Sequence, residues 1–107
     1  MAALNAEVRE RALLAVQTLE REAPIQAAYL FGSHAEGCAD QWSDIDLAAF
    51  IEGIESWDLD RQTRVILQVQ KELGFDIEPH LFPAAALVQV RPGSFASDIV
   101  ARGIRLL

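Results

Sequence analysis

Lysine is nearly missing from this chain of 107 residues. One, Lys71, stands among nine basic residues against sixteen acidic ones, for a formal net charge of −7. Binding along a nucleic-acid backbone rests on clustered Lys and Arg that displace counterions, so this balance argues against DNA or RNA as a direct ligand. A nucleotide stays open as a ligand, because metal ions can neutralise its phosphates. Cysteine is down to Cys38, which excludes an internal disulfide and a cysteine-built zinc site. No apolar run approaches the length of about 20 residues that a membrane-spanning helix needs, and no basic leader precedes an apolar stretch. A soluble, cytoplasmic protein with no membrane role is the expectation. The phosphate-binding pattern G-x-x-x-x-G-K-[ST] is also missing, which closes the P-loop route. There is no repeat, linker or low-complexity segment, and the length suits a single domain, 1–107.

What is present is enough apolar material, 51% of the residues, for one real core. From Asn5 to about Glu22 the spacing of Leu4, Val8, Ala12, Ala15 and Leu19 predicts an amphipathic helix that Pro24 stops. "IQAAYLF" (Ile25 to Phe31) reads as a strand ended by Gly32, followed by a short helical turn over Ser33 to Gly37, capped by Ser33, and a loop over Cys38 to Trp42. A second strand runs from Ser43 to about Glu52. The next helix has Ser56 as its N-cap, Trp57, Val65, Ile66, Val69 and Leu73 as its apolar stripe, and Gly74 as its stop. "FDIEPHLF", Phe75 to Phe82, is the third strand, and Pro79 within it predicts a sheet edge, where a missing N–H does no harm. Pro83 is placed to open a helix over "PAAALVQ". Ser94 caps a last helix through Arg102, and the apolar tail from Ile104 to Leu107 reads as an interface or a final strand, with the strand preferred. The order αβαβαβα predicts an α/β (α+β) fold, a small sheet with helices packed against it.

The chemistry lies where strands carry acids. Residues i and i+2 of a strand share a face, so Asp44 and Asp46 project together, and Asp76, Glu78 and His80 form a second such row. If the two strands are neighbours, three or four carboxylates converge. Burying anions without a partner is costly, and hard oxygen donors so arranged suit Mg²⁺ or Mn²⁺. A pair of such ions is the usual device for in-line phosphoryl transfer. Gly32 and Ser33 add backbone N–H groups and a hydroxyl at the start of a helical turn, suited to phosphate. Each feature alone has a plainer meaning: a turn, a solvated D-x-D, a hydrogen-bonded structural histidine. In this order and on these strands, a metal site is the better reading.

These residues carry a family likeness. "GSHAEGCADQWSDIDL" resembles the G-S-x-x-x-G … S-D-x-D-L signature of the DNA polymerase beta-like nucleotidyltransferase superfamily. The length and element order look like its minimal nucleotidyltransferase (MNT) branch. The resemblance implies that superfamily's fold, with a small mixed sheet. It implies that Gly32 and Ser33 hold the triphosphate of ATP, that Asp44 and Asp46 ligate two Mg²⁺ ions, and that a third carboxylate binds one metal and helps deprotonate the attacking hydroxyl. Glu78 is the choice for that third carboxylate, with Asp76 in reserve. His34 and Glu36 depart from the pattern, which has a basic or aromatic residue and then an arginine there.

A chain this short has no room for an acceptor domain, so the acceptor is expected to be another protein. Minimal nucleotidyltransferases are typically paired with a HEPN-domain RNase toxin. The resemblance therefore implies an antitoxin that transfers AMP to a tyrosine hydroxyl of such a toxin, within a hetero-oligomer. The rival is an antitoxin that neutralises its toxin by covering it, without catalysis. A small-molecule nucleotidyltransferase comes third.

Overall fold

The computed structural model describes residues 5–40, 42–88 and 91–107. Along the chain these form α1 (Ala6–Glu20), β1 (Ile25–Phe31), α2 (Ser33–Glu36), β2 (Ile45–Ile51), α3 (Leu59–Leu73), β3 (Ile77–Pro83), α4 (Ala85–Val88), α5 (Phe95–Arg102) and β4 (Ile104–Arg105), with a 3-10 turn at Ile54–Ser56. The strands make one mixed sheet in the order β3-β2-β1-β4. β1 runs antiparallel to both β2 and β4, whereas β2 and β3 are parallel. Parallel neighbours need a long crossover, and α3 supplies it.

β2 explains the rest of the packing. It lies between two strands and is covered on both faces, which is why its sequence is a nearly unbroken apolar run. Every residue from Ile45 to Ile51 is buried except Asp46. On one face Leu30, Ile45, Leu47, Ala49, Ile51 and Ile77 pack against Ala12, Ala15, Val16 and Leu19 of α1 and Val65 and Val69 of α3. On the other, Ala27, Tyr29, Ala48 and Phe50 meet Ile99 of α5. Burying one such Leu, Ile or Phe side chain contributes about 1.5–3 kcal/mol, so the two faces together hold β2 in register.

The ends of the elements show where local sequence decides and where it does not. Asn5 caps α1 by accepting from the N–H groups of Glu7 and Val8, and Ser94 caps α5 by accepting from Ser97. The edge position expected from Pro79 is found, and the C-terminal tail adds β4 beside β1. Four expectations shift. The cap of α3 is Asp58, which accepts from the Arg61 N–H, while Ser56 ends the 3-10 turn and donates to Gly53 O. The cap position of α2 is Gly32, with Ser33 its first helical residue. Pro83 closes β3 rather than opening a helix. The second and third strands begin at Ile45 and Ile77, two residues later than the apolar runs suggest. Leu4, Gln41 and Gln89 lie outside the described residues.

The turn before β3 is tied to α1. Arg11 of α1 donates to both carboxylate oxygens of Asp76, at 2.8 and 2.6 Å, and to the Leu73 carbonyl at 2.7 Å. Gly74 makes room for this pair: it sits at φ 126°, and a Cβ there would lie 2.5 Å from Arg11 Nη2 and 2.6 Å from Asp76 Oδ1. Asp76 is thus a clasp between α1 and the α3–β3 turn. The hydrogen bonds from Arg11 hold its pKa below the ordinary aspartate value.

A carboxylate with a depressed folded pKa stabilises the protein above its ordinary pKa and loses that contribution as pH falls through the depressed value. Asp76→Asn is therefore expected to lower stability by about 1 kcal/mol at pH 7, the order for a partly exposed ion pair. In urea unfolding, wild type and variant should converge as the pH drops below the free-aspartate value of about 3.9. A gap that persists unchanged into acid would assign the effect to packing instead of charge.

Candidate active site

The register of three strands builds the site. Asp46 of β2 stands opposite Phe31 on one side and abreast of Glu78 on the other, and His80 lies one pleat further along β3, beside Ala48. A carboxylate oxygen of Asp46, one of Glu78 and a ring nitrogen of His80 all lie within 4.8 Å of one another. Asp46 and His80 are partly buried, with side chains 25% and 30% exposed, and Glu78 is exposed. Among the described residues, no Lys or Arg forms an ion pair with Asp46 or Glu78. Asp46 is half-buried with a second carboxylate abreast of it, an unfavourable arrangement that an added cation would relieve.

His80 shares this condition. Its Nε2 lies 3.4 Å from Asp46 Oδ1, yet that buried nitrogen makes no hydrogen bond. The ring is held edge-on by Phe31 and Phe95, at centroid distances of 5.0 and 6.0 Å. A buried polar atom without a partner usually marks a missing ligand, water or ion. Oxygen and nitrogen donors on one patch form a set that fits a divalent cation.

Gly32 completes the geometry from the end of β1. Its backbone, at φ 77° and ψ −154°, lies in a region open essentially to glycine alone. A Cβ there would come within 2.5 Å of Asp46 Oδ2. The Gly-Ser turn therefore rests directly against the Asp46 carboxylate. α2 is tied down by a close approach of His34 Nε2 to Ser43 O, 3.4 Å, and Glu36 lies 3.9 Å from Arg102 of α5.

Of the residues singled out in the sequence, the structure gathers Gly32, Asp46 and Glu78 in one place, with Ser33 next in the chain. Asp44, exposed and one position before β2, is outside the three-donor group. Asp76 is outside it too, engaged by Arg11. His80, which taken alone reads as a hydrogen-bonded structural histidine, has its side chain in the group. The signal was its i+2 position after Glu78 on a face already acidic. Arg102 had no local signal, since it reaches Glu36 only through the packing of α5. A separate groove of about 620 Å³ between α1 and α3, lined by Arg21, Arg61, Arg64 and Lys71, holds none of these donors; Arg21 and Arg64 there are paired with Glu72 and Asp60.

Comparison with known proteins agrees with this architecture. The family described as polymerase beta, nucleotidyltransferase matches residues 15–107. The chain belongs to that family of nucleotidyltransferase-fold proteins. Solved structures share its fold, three among them as follows. One is a Sulfolobus solfataricus protein assigned to the nucleotidyltransferases, at 16% identity over 98% of this chain and 87% of that one, with a TM-score of 0.58. The second is a chain of a toxin–antitoxin complex with AMP-PNP, at 22% identity over 92% and 72%, TM-score 0.62. The third comes from the complex of a tri-AMPylated HEPN toxin with its MNT antitoxin from Shewanella oneidensis, at 19% identity over 94% and 71%, TM-score 0.58. At these identities the likeness is one of fold. No curated protein sequence gives a significant match.

Gly32→Ala tests the contact between turn and carboxylate. The strained backbone alone should cost about 1–3 kcal/mol, and the new methyl should push the Asp46 carboxylate out of place. The expected result is a lower melting temperature together with weaker divalent-cation binding by calorimetry. An alanine variant as stable as wild type and equally good at binding would contradict the geometry.

Proposed function

We propose that this protein transfers AMP from ATP to a tyrosine hydroxyl of a HEPN-type toxin and acts as its antitoxin. The observation that carries the reading is the group formed by Asp46, Glu78 and His80 against the Gly32–Ser33 turn. The family supports nucleotidyl transfer. The fold shared with proteins of toxin–antitoxin complexes, one with AMP-PNP and one with an AMPylated toxin, supports the partner and the nucleotide.

In this reading Gly32 and Ser33 bind the triphosphate through backbone N–H groups and the Ser33 hydroxyl, with no side chain at position 32 to block the approach. Asp46 and Glu78 would hold divalent cations, Mg²⁺ by the family resemblance, with Asp44 as a further donor. Bound cations would neutralise the carboxylates and the charge developing on the phosphoryl group. Glu78, the exposed member of the group, accepts the proton of the incoming tyrosine hydroxyl. The tyrosine oxygen forms a bond to the α-phosphorus, the bond from that phosphorus to the oxygen bridging to the β-phosphate breaks, and pyrophosphate leaves. Asp76 has no part in this, since its oxygens serve the clasp with Arg11. Neutralisation by binding alone is the second reading, favoured by Glu36 and by the position of Asp44 outside the three-donor group.

The test is an AMP-transfer assay with labelled ATP, Mg²⁺ and the cognate HEPN protein. Glu78→Gln should lower transfer by about a hundredfold or more, in the range for loss of a positioned general base, with little change in stability. Asp76→Asn should keep most of the activity. The opposite ranking would move the third carboxylate to Asp76. A wild-type protein that silences the toxin without modifying it would establish the binding reading instead.

A further inference from the structure

The nitrogen in the donor group bears on which metal the site prefers, an inference that rests on the metal-site reading above. Mg²⁺ is a hard ion that seeks oxygen and keeps its waters, whereas first-row transition ions accept imidazole readily. A site of carboxylates alone would hold Mg²⁺ and Mn²⁺ by the same donors. A site with a histidine at hand need not.

We propose that His80 is a metal ligand through Nε2, sharing with Asp46 and Glu78 an ion of the first transition row such as Mn²⁺, and that it makes the site favour this ion over Mg²⁺. Nε2 is the buried atom without a hydrogen-bond partner. It lies 3.4 Å from Asp46 Oδ1, close to the separation of about 3 Å between two neighbouring donors on one octahedral ion with bonds of about 2.1 Å. Because 3.4 Å here gives no hydrogen bond, Asp46 does not satisfy the nitrogen, and a cation between them would serve both. The ring does not have to be recruited for this. Phe31 and Phe95 hold it edge-on, so little side-chain freedom is lost when the ion binds. Phe31 also faces Asp46 across the β1–β2 pair, so one aromatic side chain borders both donors.

Mn²⁺ binding, followed by electron paramagnetic resonance without nucleotide, tests the assignment directly. His80→Phe keeps an aromatic ring among Phe31 and Phe95 but removes the nitrogen, and His80→Gln keeps a polar group that can offer oxygen. Wild type should bind Mn²⁺ with a nitrogen coupling in the pulsed spectrum, and Mg²⁺ should displace it only at about tenfold or greater excess. Both variants should lose the coupling, and His80→Phe should bind Mn²⁺ about tenfold more weakly or worse, the least expected from losing a ligand when losing a second-shell partner already costs that much. Mn²⁺ bound without nitrogen coupling, or a coupling that persists in His80→Phe, would overturn the role of His80 and leave the carboxylate site standing. If wild type binds neither ion, or Asp46→Asn binds Mn²⁺ as well as wild type does, the metal-site reading falls and this inference falls with it.

Discussion

Asp46 and Glu78 stand abreast because β2 and β3 are parallel and in register, and most of the molecule serves that one pairing. The parallel arrangement requires α3 as a crossover, and apolar packing holds every β2 residue except Asp46, against α1 and α3 on one face and with Ile99 of α5 on the other. The Arg11–Asp76 clasp ties α1 to the turn just before β3. Gly32 removes the one atom that would collide with the Asp46 carboxylate. Holding the half-buried Asp46 carboxylate beside that of Glu78 opposes folding until something positive joins them. Apolar packing away from the site compensates for this. That is the usual relation between a strained functional site and its scaffold.

Three acids on or just before the adjoining strands β2 and β3 thus have different work. Asp76 is neutralised by an arginine and strengthens the fold. Asp46 has no arginine or lysine among the described residues and sits beside a histidine whose nitrogen is unsatisfied. Glu78 reaches solvent, where an acceptor could approach. The separation follows from surroundings alone, since the side chains are chemically alike.

Much of this was legible in the sequence. β1 has the limits its apolar run suggests, Pro79 marks the edge strand, and the G-S … D-x-D-L pattern places Gly32 and Asp46 where they meet. Local signals failed where two residues were equally able to do one task. Ser56 and Asp58 can both cap a helix, and only the 3-10 turn at Ile54–Ser56 makes Asp58 the cap. Asp76 shares the period-two row of Glu78 and His80 in the sequence, but its side chain is engaged by Arg11, 65 positions away. The state of His80 depends on Phe31, Asp46 and Phe95, which no local window contains. Residue types and spacing reveal donors, whereas their partners are decided by tertiary packing.

The most direct test of the account is where a metal settles when nucleotide is bound. Crystals grown with Mn²⁺ and a non-hydrolysable ATP analogue, measured for manganese anomalous scattering, would locate it. The account predicts a peak among Asp46, Glu78 and His80, with the triphosphate against the N–H groups of Gly32 and Ser33. A peak elsewhere, or nucleotide bound in the groove between α1 and α3 with the carboxylates empty, would contradict it.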